Sequence, residues 1–135
     1  RATRVVGQER RSNIHFNIRN TMMMFEHILK TLSENGKSGQ AYSKVIKHSE
    51  KAMKEDSDRA AGYLLLKILA DRFIEATGRM ATTVTQTENE YKIFSNHVGT
   101  LSDAYIAGDP AGISDALNKV SLASLEPFDS SFSTI

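Results

Sequence analysis

Residues 58–76 read DRAAGYLLLKILADRFIEA, and the run from Ala60 to Ala70 holds one charge, Lys67, in eleven positions. A helix of that composition is apolar nearly all the way round and needs cover on most sides. The cover has to come from other helices, so the chain reads as all-α, a bundle of four to five helices built around this segment. Ser57 or Asp56 can cap the central helix, and it runs to Thr77-Gly78.

Outward from it, the pattern stays helical. On the N-terminal side Ser12 or Asn13 is a good N-cap, and Ile14, Ile18, Met22, Phe25, Leu29 and Leu32 follow at spacings of three and four. That spacing predicts an amphipathic helix of about six turns, ended by Asn35-Gly36 through a left-handed glycine. Gln40–Asp56 predicts a shorter helix with Tyr42, Val45, Ile46, Ala52 and Met53 inward, lysines 44, 47, 51 and 54 on its other sides, and Glu50 paired with Lys54.

On the C-terminal side Met80, Val84, Thr87, Tyr91, Phe94, Val98, Leu101 and Tyr105 form a seam of alternating fours and threes. Gly78 can be a helix end or lie within one long helix; weak helix formers at 82–85, and capping-box pairs Thr85-Glu88 or Thr87-Glu90, favour a break between 78 and 86. Gly108-Asp109-Pro110 is a stop and restart, with Asp109 as N-cap and Pro110 in the first helical position. A short helix with Ile113, Leu117 and Val120 follows.

Composition narrows the function. The chain has 135 residues, enough for a single core, and a charged fraction of 24%, ordinary for a folded domain. The absence of cysteine removes disulfides and thiolate chemistry, and no apolar run reaches membrane-span length. Histidines 15, 27, 48 and 97 show no i,i+3 or i,i+4 pair, and neither HExxH nor ExxH is present. The glycines make no GxGxxG or P-loop, and no serine sits in GxSxG. We therefore expect no enzyme, no metal and no cofactor.

What remains is a charge asymmetry. Net charge is +1, yet residues 1–20 carry Arg1, Arg4, Arg10, Arg11 and Arg19 against Glu9 alone. Arginine presents a fixed fork of donors suited to phosphate oxygens. Residues 1–11, interrupted by Gly7, read as an extended basic arm; residues 12–120 as the bundle; residues 121–135 as a tail. Arg11, His15 and Arg19 form a cationic line about 12 Å long on the first helix. Phe16 and Met23 lie nearly opposite the apolar stripe, where a second subunit would cover them. The tail, SLASLEPFDSSFSTI, offers Leu125, Phe128 and Phe132 for the same purpose.

This layout resembles the major capsid proteins of filamentous archaeal viruses, such as tristromaviruses and lipothrixviruses. The resemblance lies in the overall arrangement of arginine arm, helical body and apolar tail, not in a motif. It implies a virion subunit that wraps double-stranded DNA in A-form, often as paired subunits, with phosphate contacts from Arg1, Arg4, Arg10, Arg11 and Arg19, joined by His15. The expected partners are thus nucleic acid, DNA in preference to RNA, and other copies of the chain or a paralogous subunit. The alternative is a cytoplasmic helical interaction or sensor module whose basic arm meets an acidic partner.

Overall fold

The computed structural model describes residues 2–77 and 82–126, with side chains from residue 18 onward. It contains five helices: α1 (Ala2–Glu34), α2 (Gly39–Glu55), α3 (Ala60–Thr77), α4 (Val84–Ala107) and α5 (Pro110–Ala123), with one 3-10 turn, Ser57–Arg59, between α2 and α3. No strand occurs among the described residues.

The helix ends follow from local chemistry. After α1, Gly36 has φ 79° and the Lys37 amide donates to the Leu32 carbonyl at 3.0 Å, which satisfies an end carbonyl that the helix itself leaves open. Thr83 and Gln86 close a reciprocal capping box at the start of α4, two residues before Thr85-Glu88 and four before Thr87-Glu90, the pairs expected from sequence. Gly108 takes φ 78°, and Asp109 accepts from the Gly112 amide at 3.1 Å to open α5 at Pro110. The break between α3 and α4 is present; Gly78 and Met80 lie outside the described residues.

The most extensive helix pair is α2 with α3; α1 packs on α2 and α4, and α5 packs mainly on α4. Two aromatic clusters fill the core. Phe25 packs on Tyr63 and Tyr105, with ring centres 4.9 and 6.2 Å apart, while Tyr42 stacks on Phe73 at 4.0 Å and meets Phe94 edge-on at 5.6 Å. Leu32, Val45, Leu66, Val98, Leu101 and Val120 close the space around them.

Three expectations need correction. The first helix starts at Ala2, not at Ser12 or Asn13, so residues 2–11 are helical rather than an extended arm. One glycine costs only about 1 kcal/mol in a helix, which arginine, glutamine, glutamate and alanine nearby can offset. Met22 is exposed, and Thr21 takes the buried position because Asp56 accepts its hydroxyl. Glu50 pairs with Lys67 on α3 at 2.8 Å, not with Lys54; that contact holds its carboxyl below the usual range. The cover of α3 leaves one side open, where Leu64 and Ile68 remain 40% and 39% exposed.

Gly62 lets α3 and α4 approach. Its amide donates to the Tyr105 hydroxyl at 3.2 Å, and a Cβ built there would lie 2.6 Å from the Tyr105 ring. Alanine gains about 1 kcal/mol in helix propensity but forces the ring aside, at a typical overpacking cost of about 1–3 kcal/mol, and loses a hydrogen bond worth about 1 kcal/mol. Gly62→Ala should therefore destabilise by roughly 1–3 kcal/mol in urea melts. In a Tyr105→Leu background the same change should become neutral or stabilising. An equal loss in both backgrounds would show that the ring contact is not the cause.

Candidate functional site

The cationic positions found in the sequence lie on one continuous element. At 1.5 Å per residue the 33 residues of α1 extend about 50 Å, against about 26 Å for the 17 of α2 that follows it. The first half of α1 thus has no counterpart of equal length in its neighbour. At about 100° per residue, positions 4, 11, 15 and 19 fall within an arc of roughly 80° and span about 22 Å along the axis. The buried positions of the same helix, Thr21, Phe25, Ile28, Thr31 and Leu32, occupy a separate arc of about 120°. Position 10 lies nearer the buried arc.

Arg19 is exposed on this element. Arg4, Arg10, Arg11, His15 and Phe16 lie on its backbone with side chains outside the described set, and Arg1 lies outside the described residues altogether. Of the expected contact residues, Met23 is 60% and Leu125 79% exposed; Phe128 and Phe132 also lie outside the described residues.

The bundle holds α1 through a buried carboxylate. Asp56, 5% exposed, sits at the corner between α2 and α3. Its Oδ2 accepts from Thr21 Oγ1 and from the Tyr63 hydroxyl, both at 2.7 Å, and its Oδ1 accepts from Arg59 Nη1 at 3.3 Å. Burial, then the bond to Asp56, raises the Tyr63 phenol well above its usual range, so it stays a donor. One acceptor therefore ties three segments together.

Comparison with protein families, curated proteins and solved structures finds no match to this chain. The site has to be read from its own geometry.

Among the described residues, no group of three or more histidine or acidic side chains could hold a metal ion. No described helix is long and apolar enough to cross a membrane. The lysines of α2 at 44, 47, 51 and 54 share one arc of about 80° facing away from its buried side. Lys44 donates to Asn35 Oδ1 at 2.8 Å and Lys51 lies 3.8 Å from Glu55; Lys47 and Lys54 are exposed.

Two features escaped sequence spacing. His27 on α1 and His48 on α2 meet edge to face with ring centres 4.3 Å apart; they are too far apart in the chain for any helical spacing rule. Burial, then the neighbouring His27, Lys51 and Lys44, lowers the His48 pKa. The second is a groove of about 540 Å³ between α3 and α4 with an apolar floor of Leu69, Phe73 and Phe94. Tyr42 lies in it with a buried hydroxyl that lacks a hydrogen-bond partner, raised well above the phenol range mainly by burial.

His97 lines the same groove, and burial followed by the charge of Lys119 lowers its pKa below 6.5. The unfolded chain then binds the proton more tightly than the folded one. Stability is fully present above pH 6.5 and falls as pH drops through the folded value. His97→Gln should flatten part of the decline in urea midpoint between pH 7 and 5. An unchanged slope would remove His97 from that decline.

Proposed function

We propose that this chain is a structural subunit that coats nucleic acid, double-stranded DNA in preference to RNA, as the repeating unit of a helical filament or virion. The observation that carries this reading is the placement of Arg4, Arg11, His15 and Arg19 on one arc of a helix about 24 Å longer than α2 and about 14 Å longer than α4. Such a stripe can follow a sugar–phosphate backbone with several guanidinium forks in register. Affinity then comes from neutralised phosphates and released counterions, without base readout. No catalytic step is part of this function.

A coat also needs contacts between copies. Leu64 and Ile68, one turn apart on α3, and Met22 and Met23 on α1 supply exposed apolar surface. Leu125 is exposed as well, and Phe128 and Phe132 follow it in the sequence. Scattered exposed leucines are ordinary, but an i,i+4 pair on the most apolar helix of the chain is a face that a second subunit would cover.

The exposed α3 face also suits the alternative reading, a helical interaction module whose basic helix meets an acidic protein. Nuclease protection separates the two. When the whole chain is mixed with random-sequence duplex DNA at low salt, the coat reading predicts continuous filaments in electron micrographs and protection along their full length. Fully digested DNA with no assembled particles would overturn it and favour the module.

A further inference from the structure

The groove between α1 and α2 outside the core is lined by Met23, Met24, His27, Lys30, His48 and Glu55. The two imidazoles within it come from different helices and stand edge to face at 4.3 Å. Two histidines on one tetrahedral cation, with metal–nitrogen distances of about 2.0–2.1 Å, have ring centres roughly 5 Å apart. The separation present, 4.3 Å, lies close to that value. We propose that His27 and His48 together bind a late first-row divalent cation of the zinc type, clamping α1 to α2.

The donor set suits that class of ion. Imidazole prefers zinc, nickel and copper over magnesium or calcium, and neither histidine has its ring committed to an aromatic stack in the core. The nearby lysines are partly offset by carboxylates: Lys30 lies 3.9 Å from Glu34 and Lys51 3.8 Å from Glu55, Glu26 lines the same groove, and Lys44 adds a further positive charge near His48. Two protein ligands leave two tetrahedral positions to water, one more than the single open position of a three-ligand zinc site. The inference stands independently of the nucleic-acid reading, because no arginine of α1 takes part.

The test is Zn²⁺ alone, titrated into the whole chain by competition with a chromophoric chelator, with the thermal melt followed in parallel. One cation per chain is expected, and free Zn²⁺ at 100-fold above its dissociation constant should lower the unfolded fraction about 100-fold. His27→Gln and His48→Gln should each weaken binding by at least the roughly 10-fold that losing a supporting group costs. Both positions are at least partly exposed, so folding survives, which far-UV circular dichroism checks. His97→Gln, on α4, should bind as the parent does. No uptake by the parent, unchanged affinity in either single variant, or an equal loss in His97→Gln overturns the site.

Discussion

Replacing Asp56 with alanine is expected to destabilise the fold by about 3–5 kcal/mol, the usual cost of removing one partner from a buried charged network. The carboxylate is nearly inaccessible, and three donors point at it: the Thr21 and Tyr63 hydroxyls and the Arg59 guanidinium. Alanine leaves both hydroxyls without this acceptor, and Arg59 keeps only Asp58, 3.9 Å away. Asparagine keeps one acceptor oxygen and should lose less, about 1–3 kcal/mol. Urea denaturation of the three proteins checks the order. A loss under about 1 kcal/mol for alanine would mean that water replaces the carboxylate at little cost, and that α1 is not held at this corner.

That corner bears on function, because Thr21 is, among the described side chains, the fully buried residue of α1 nearest its arginine-bearing half. A weakened corner loosens the base from which the stripe is presented. Asp56→Ala should therefore reduce cooperative filament growth on DNA more than it reduces binding of a single chain.

The second large effect is electrostatic. Arg4→Gln, Arg11→Gln and Arg19→Gln combined remove three cations from one arc without adding repulsion. Each phosphate that is no longer neutralised should reduce the slope of log affinity against log salt by about 1. Extrapolated over one decade from 1 M salt, three phosphates correspond to about 500-fold weaker binding at 0.1 M. Arg10→Gln, nearer the buried arc, should have a smaller effect. Equal losses from all four single substitutions would argue against an ordered stripe and for diffuse attraction by net charge.

Much of the fold was legible because its signals are local. The apolar run of α3, the glycine stop at Gly36, the Gly108-Asp109-Pro110 restart and the seam of α4 each depend on residues within a turn or two. Partner choice does not follow the same logic. Glu50 finds Lys67 rather than Lys54, and Thr21 displaces Met22 from the core through a bond to a residue 35 positions away. No periodicity encodes that. The start of α1 differs for another reason: Gly7 alone suggests an interruption, but the helix formers that surround it outweigh one glycine.

The candidate interface was legible only as composition. Five arginines in the first twenty residues are visible in the sequence, but the common arc of positions 4, 11, 15 and 19 depends on the helix running unbroken from Ala2. The His27–His48 pair needs the antiparallel packing of α1 on α2 and is invisible to spacing rules.

Affinity of the whole chain for random-sequence duplex DNA, measured at several salt concentrations, tests the proposed function most directly. Neutralisation of four or five phosphates predicts a log–log slope of roughly −4, hence about 250-fold weaker binding at 200 mM than at 50 mM salt. A slope near zero, or no binding at low salt, would contradict it.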